Sequence, residues 1–193
     1  MVGLIKLLRS RFNGFARANE AVAAVEFALI LPVMLLVYIG SVEASSLITT
    51  DRRVQTITGT LGDLVARSNE KIPVASLINF FEAAEGIMVP FSTASLVQVV
   101  TSVRVNNDGT TTVLWSRQYQ NNTMSSGGRA HSVNQPYALP SAITDISLGE
   151  SVIVAETFYT FTPSFNIVYN GTIPLYRENF YLPRFETDID LVP

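Results

Sequence analysis

One stretch of the sequence restricts the fold more than any other, the run of apolar and small residues from Ala21 to Val42, which only Glu26 and Ser41 interrupt. About 20 helical residues, each rising 1.5 Å, match the roughly 30 Å hydrocarbon core of a bilayer. The run therefore predicts one transmembrane helix over residues 21–42, surrounded by membrane lipid.

Basic residues flank this run unequally. The leader over residues 1–20 holds most of them, whereas the other flank holds only two: Lys6, Arg9, Arg11 and Arg17 against Arg52 and Arg53. Cytoplasmic flanks of membrane helices carry the excess of Lys and Arg. We expect a cytoplasmic leader, a single crossing, and the remaining chain on the far side of the membrane.

A cleaved secretory signal peptide is the alternative interpretation. The strictly apolar core, Phe27 to Ile39, is about 13 residues long, which lies within the roughly 7 to 15 of a signal-peptide core. The sequence "VEA" at Val42 to Ala44 provides small residues of the kind found at a cleavage site. The long basic leader and a helical pattern that continues through this point favour an uncut anchor.

Two residues within the run call for an explanation. A charge at the bilayer centre costs roughly 2.5 to 3.5 kcal/mol on insertion scales. Glu26 either reaches the interface from about one turn inside the run, or pairs with a positive charge of another chain, and spacing leaves both open. Pro32 removes a backbone hydrogen bond and predicts a kink or local loosening, which is either harmless or functional.

Composition narrows the function classes. The chain has 193 residues, enough for one domain beyond the anchor, and its 13 Lys and Arg against 16 Asp and Glu give a net charge of −3. With no basic cluster among aromatic residues, we expect no nucleic-acid partner. The absence of cysteine from the sequence excludes disulfides and thiol chemistry.

Helical periodicity continues beyond the anchor. Residues 43–68 space their apolar positions by three, four and seven, which predicts an extension of the same helix: Leu47, Val54, Ile57, Leu61, Leu64 and Val65. Ser68 and Asn69 indicate a break. Residues 69–94 then predict a shorter second helix that starts near Pro73 and frays at Gly86.

From residue 95 onward the pattern is that of strands. The turn "NNDG" between two Val- and Thr-rich stretches predicts a hairpin, and "ESVIVAETFYTFTP" predicts a buried strand that ends at Pro163. Residues 120–150 predict a long loop, and shorter strands are predicted at Ile167 to Tyr169 and Asn179 to Leu182. The fold class is therefore α+β, with an antiparallel sheet domain over residues 95–193.

Few side chains suggest catalysis. His131, the sole histidine, would need an orienting partner and a nucleophile, and the sequence identifies neither. Asp188 and Asp190, with Glu186, are better explained as the solvated face of a strand than as metal ligands. We expect no enzyme activity, catalytic residue, cofactor or metal. The alternative function is a secreted or membrane-tethered binding module whose loop over residues 120–150 holds a ligand.

The N-terminal region resembles a known family. A basic leader, small residues, then Val25, Glu26, Phe27 and the helix "FALILPVMLL" are similar to the TadE/TadG-like pseudopilins of the tight-adherence (Tad, or Flp) type IV pilus system. The segments "DRRVQTITGTLGDLVARS", "VLWSR" and "LGESVIVAETFYTFTP" extend the resemblance in outline, with less specific motifs. It implies a pilin-like minor subunit, because the major subunits of this system are much shorter chains.

The resemblance also implies roles for residues of the anchor. A prepilin peptidase would cut between Ala21 and Val22, which makes Glu26 the fifth residue of the mature chain, although Ala21 replaces the usual glycine. Glu26, beside Phe27, would then offset the new amine of a neighbouring subunit during assembly. The implied location is the bacterial inner membrane and the pilus, and the implied partners are other pilin and pseudopilin subunits and the inner-membrane assembly machinery.

Overall fold

The computed structural model describes residues 19–167, 169–185 and 188–193, with side chains from residue 22 onward. The predicted leader over residues 1–20 therefore lies outside the described residues, apart from the backbone of its last two. Glu186, one of the three acidic residues near the C-terminus, also lies outside them.

The described chain contains three α-helices, one 3₁₀ turn and seven strands. The helices are α1 (Asn19–Ala66), α2 (Val74–Glu85) and α3 (Ser141–Ile146), and the 3₁₀ turn is Gly86–Met88. The strands are β1 (Lys71–Pro73), β2 (Val97–Val105), β3 (Thr111–Gln120), β4 (Thr123–Ser125), β5 (Ser151–Phe161), β6 (Ile173–Tyr181) and β7 (Asp190–Val192). The predicted α+β class is confirmed, as are the long first helix, the shorter second helix and the antiparallel sheet.

The chain divides into two compact units. The first contains helix α1 up to Ser45 together with the segment Pro163–Asn170. In this unit the Glu43 carboxylate accepts hydrogen bonds from the backbone N–H groups of Phe165 and Asn166, at 3.1 and 3.0 Å. The second unit contains residues 46–162 and 171–193, and includes the sheets.

The main sheet of the second unit is antiparallel, with strand order β4-β3-β2-β5-β6. The predicted hairpin forms its centre, and Gly109 makes the turn possible because its φ of 81° is rarely accessible to other residues. A bulge between Ser102 and Val103 shifts the register of β2 against β3. This bulge explains why the apolar positions of β2 change face along the strand.

One face of the sheet packs against the helices. The helical stripe Val54, Ile57, Leu61 and Val65 is fully buried, in agreement with the predicted periodicity. From α2, Phe81 stacks on Tyr119 of β3 with ring centroids 5.2 Å apart. Since each buried aliphatic or aromatic side chain contributes about 1.5–3 kcal/mol, this layer stabilises the second unit more than its surface contacts do.

Small residues bring α1 close to the sheet. A methyl group on Gly62 would lie within 2.5 Å of the Tyr181 ring and 3.2 Å from the Cβ of Ala155. One turn earlier, the Tyr181 hydroxyl donates a hydrogen bond to the carbonyl of Gly59 at 3.0 Å. In the same layer the hydroxyls of Thr58 and Thr157 are buried and 2.8 Å apart.

The other face of the sheet is covered by the long segment between β4 and β5. A second cluster of apolar side chains lies there: Val103, Val105, Val113, Val152 and Val154, with Tyr137, Leu139, Ile143 and Phe180. Residues 120–150 were predicted as a loop, and most of them are irregular. The prediction missed β4, α3 and the covering role, because the apolar residues of this segment are too widely spaced to show a period.

Two of the shorter strand predictions need correction. Ile167 and Tyr169 lie in no strand, and Asn179 to Leu182 covers only the end of β6, which starts at Ile173. A parallel pair of short strands, β1 and β7, was also missed; it pairs Ile72 with Leu191. Three-residue strands carry no measurable alternation, so pairing between distant segments decides them.

Candidate functional site

The apolar half of α1 is the first candidate site. Among the described residues, α1 is the helix that is long and apolar enough to cross a membrane. The most apolar stretch of this helix is not buried against other described parts of the protein. Every side chain from Val22 to Tyr38 is exposed. A helix that is apolar all round and unpacked against its own chain needs lipid or other helices around it.

Glu26 lies in this exposed segment. Its carboxylate forms no hydrogen bond or ion pair within the part of the chain that the structure describes. Val22 and Ile30, one turn before and one turn after it, share its face of the helix. Phe27 beside it is 61% exposed. The only charge of the predicted span therefore projects from an apolar surface that the other described residues leave uncovered.

The other predicted residues of the anchor lie on the same helix. The peptide bond between Ala21 and Val22 falls within α1, close to its first described residue. Helix α1 also continues through Pro32 without a break. Because proline has no N–H, the carbonyl of Ala28 lacks its usual helical donor. Residues Val42 to Ala44, the alternative cleavage site, are helical as well.

His131 has a partner that the sequence did not reveal. Its Nε2 lies 2.7 Å from Oε2 of Glu156 on β5, and Glu156 is 4% exposed. The Tyr176 hydroxyl donates to the other carboxylate oxygen of Glu156 at 3.0 Å. The signal that could have indicated Glu156 is its position as a lone carboxylate within a strand of apolar and β-branched residues.

Two tyrosines complete this polar cluster. The Tyr137 ring packs edge-on against His131 with centroids 4.8 Å apart, and its hydroxyl donates to Glu178 at 2.6 Å. Burial, followed by the nearby carboxylates, raises the pKa of Tyr137 and of Tyr176 well above the ordinary tyrosine value. Both hydroxyls therefore stay protonated at neutral pH and donate to the buried Glu156 and the half-buried Glu178.

The contacts of this cluster indicate a structural role. The backbone N–H of His131 donates to Oγ of Ser116 at 3.0 Å, so this serine contacts the backbone of His131. Among the described residues no serine, threonine or tyrosine hydroxyl is hydrogen-bonded to the imidazole ring. Glu156 and Ser116 thus fasten the loop that covers the second sheet face to strands β5 and β3.

The two described acidic residues near the C-terminus, Asp188 and Asp190, have different surroundings. Asp188 accepts two hydrogen bonds from Nη1 of Arg104, at 2.8 and 2.7 Å. Asp190 is exposed at the start of β7. Within the described ranges, which omit Glu186, no group of three His, Cys, Asp or Glu side chains is arranged to hold a metal ion.

Comparison with known proteins bears on the first candidate site. Residues 21–58 match the family model described as TadE-like protein. This range covers the exposed apolar half of α1 and part of its packed half. No curated protein and no solved structure matches the chain.

The family match confirms the resemblance found in the sequence. It falls on the segment that carries Glu26, Phe27 and Pro32, whose motif is the most specific in the chain. Proteins of the TadE-like family are pilus components, and the family is not known as an enzyme family. The chain therefore carries a TadE-like N-terminal segment on an apolar helix that is a candidate membrane anchor, as fits a membrane-anchored, pilus-related protein.

Proposed function

We propose that this chain is a minor pilin-like subunit that takes part in assembling a tight-adherence pilus. The observation that carries the proposal is the TadE-like helix, which exposes its apolar side chains from Val22 to Tyr38 and carries one carboxylate, Glu26, without a partner in the described chain. A surface of this kind suits packing against other pilin helices. Lipid covers it before assembly and neighbouring subunits cover it afterwards.

The proposed topology follows from charge and length. The chain crosses the bacterial inner membrane once, its N-terminus is cytoplasmic, and its C-terminal domain is periplasmic or carried outward on the pilus. The proposed division is a leader over 1–20, a transmembrane helix over 21–42, its extension over 43–68, a second helix and linker over 69–94, and a β-rich domain over 95–193.

Glu26 is the proposed assembly residue. An amine released at Val22 of one subunit would lie within the apolar layer, where a lone charge is costly. Pairing it with Glu26 of a neighbour lowers the cost of both charges and fixes the axial register of the two helices. Phe27 packs beside this pair, and the prepilin peptidase and the assembly machinery of the inner membrane are the further proposed partners.

The test is incorporation of Glu26 variants into pili. In cells that assemble the pilus, Glu26→Ala should leave the protein in the inner membrane but reduce its amount in sheared pili by about tenfold or more, equivalent to about 1.4 kcal/mol per contact. Leu29→Ala is the matched control, because it shortens an exposed apolar side chain one turn away without removing a charge. Equal incorporation of the Glu26→Ala variant and the wild type would contradict the pairing.

Intact mass spectrometry of the mature protein tests processing separately. A first residue at Val22 supports peptidase processing and the proposed amine. A first residue near Ser45 supports a cleaved signal peptide and therefore a secreted module. An uncut chain supports a plain anchor and removes the basis for the pairing.

A further inference from the structure

We propose that the segment Pro163–Asn170 lies in the membrane interface and inserts its exposed apolar side chains among the lipid headgroups beside the anchor helix. This inference rests on the proposed membrane anchoring. It concerns only the first compact unit, which contains both the anchor half of α1 and this segment.

The position of the segment is set by Glu43. This residue is the first charge after the apolar run, so a helix with about 20 residues in the bilayer core brings it to the membrane surface. Its Oε1 accepts the backbone N–H groups of Phe165 and Asn166. The segment is therefore held at the level where the anchor leaves the hydrocarbon.

The composition of the segment suits that level. Its sequence, "PSFNIVYN", contains no charged residue. Phe165, Ile167 and Tyr169 are 52%, 54% and 50% exposed, respectively. Aromatic residues with one polar end are enriched where membrane and water meet, and Tyr38 of α1 is likewise exposed near the end of the apolar run. The exposed side chains of the segment thus continue the apolar surface of the anchor.

The contact between the segment and Glu43 combines an unusual backbone conformation with a buried acceptor. Asn166 has a φ of 52°, a left-handed conformation that asparagine adopts more readily than most residues. The N–H groups of Phe165 and Asn166, which are adjacent in the chain, both donate to one oxygen of Glu43. Glu43 is 8% exposed, and its Oε2 has no hydrogen-bond partner within the described chain. Glu43 therefore ties the segment to α1 through two charge-assisted hydrogen bonds on one oxygen.

Fluorescent labelling of single cysteines tests the proposal, because the natural chain contains no cysteine. The full chain is labelled with an environment-sensitive dye at Ile167→Cys and reconstituted in vesicles of phosphatidylethanolamine and phosphatidylglycerol. Lipids with a nitroxide near the headgroup should lower its fluorescence by about twofold or more. Ser126→Cys, at an exposed polar site of the second unit, is the matched control and should change little.

Each outcome of the quenching experiment either supports or overturns the proposal. Strong quenching at Ile167 by lipid and weak quenching by aqueous iodide support it. Quenching by iodide equal to that at Ser126 overturns it, and so does protection from both quenchers, which would indicate that a second protein copy covers the segment. A label at Leu31→Cys, near the middle of the proposed span, reports on the anchor itself when the nitroxide is carried deep in the acyl chain of the lipid. If lipid quenches Leu31 but not Ile167, this inference fails while the anchor stands; if lipid quenches neither, the proposed function fails with it.

The contribution of Glu43 is tested in the same vesicles. Glu43→Ala removes the acceptor of both N–H groups, so the lipid quenching at Ile167 should fall by about half or more while the label at Leu31 is unaffected. Glu43→Gln retains an acceptor oxygen and should preserve most of the quenching. Equal quenching in all three proteins would show that Glu43 does not position the segment.

Discussion

Two glycines of helix α1 should respond oppositely to the same substitution. Gly62→Ala places a methyl group 2.4 Å from Cε2 and 2.5 Å from Cδ2 of Tyr181, so the ring must move. Gly59→Ala places its methyl group 3.5 Å from the hydroxyl of Tyr181, which is an ordinary contact. Both variants replace glycine with the best helix former, so the contact with Tyr181 decides the sign.

The magnitudes follow from three opposing contributions. Overpacking of a core costs about 1–3 kcal/mol, and losing the hydrogen bond from Tyr181 to the carbonyl of Gly59 costs about 0.5–1.5 kcal/mol more. Higher helix propensity returns about 0.8–1 kcal/mol. We expect Gly62→Ala to lower the free energy of unfolding by about 1–3 kcal/mol, and Gly59→Ala to raise it by up to about 1 kcal/mol.

The assay uses the sole tryptophan, Trp115, which is 6% exposed and donates from Nε1 to the carbonyl of Ile189 at 2.6 Å. Its fluorescence reports unfolding of the second unit in the full chain in detergent micelles. At about 2–4 °C per kcal/mol, the Tm should fall by roughly 2–12 °C for Gly62→Ala and rise by up to about 4 °C for Gly59→Ala.

A double mutant checks the cause. Removing the ring with Tyr181→Ala should abolish most of the cost of Gly62→Ala, because only the 3.2 Å approach to the Cβ of Ala155 then opposes the gain in helix propensity. A Gly62→Ala protein as stable as the wild type in the presence of Tyr181, or a cost that is undiminished after the ring is removed, would refute the packing argument.

Two further predictions concern pH. Burial, followed by the hydrogen bond to Glu178, raises the pKa of Tyr137 above its ordinary 10.0, so its contribution to stability is complete below about pH 10 and is lost as the pH rises towards the raised value. Urea unfolding between about pH 9 and 11 should therefore lose stability less steeply for Tyr137→Phe than for the wild type, and parallel slopes would contradict this assignment. The hydrogen bond from Arg67 lowers the pKa of Asp63 below 3.8, so the contribution of Asp63 is present above about pH 4 and is lost as the pH falls through the lowered value. Because this ion pair is partly exposed, Asp63→Asn should lower the Tm by no more than about 2 °C at pH 7 and leave it unchanged near pH 2; an equal change at both pH values would contradict the ionic origin.

Local patterns in the sequence were sufficient to predict the elements whose buried residues recur at a regular spacing. The stripe from Val54 to Val65 indicated the packed part of α1 because helical spacing brings these residues to one face. The hairpin was predicted from "NNDG" because the turn at Gly109 requires a left-handed backbone. The candidate membrane helix followed from length and apolar character alone.

Among the residues of the candidate sites, the sequence likewise indicated some and missed others. Glu26 was identifiable because a carboxylate in an apolar run is anomalous by itself. Glu156 and Glu43 escaped notice because each acts through a partner far along the chain, His131 and Phe165 respectively. A buried carboxylate has meaning only with the donor that satisfies it, and the sequence pattern does not show which donor folds against it.

The sequence by itself determined the long helix with its candidate membrane span, the central hairpin, and the resemblance of the N-terminal segment to the TadE-like family. Only the tertiary structure decided that residues 120–150 cover a sheet face, that β1 pairs with β7, and that the segment Pro163–Asn170 is hydrogen-bonded to Glu43 of α1. The physical reason is that hydrophobic periodicity records how much of each residue is buried, whereas these features depend on which distant groups satisfy one another's hydrogen bonds and packing.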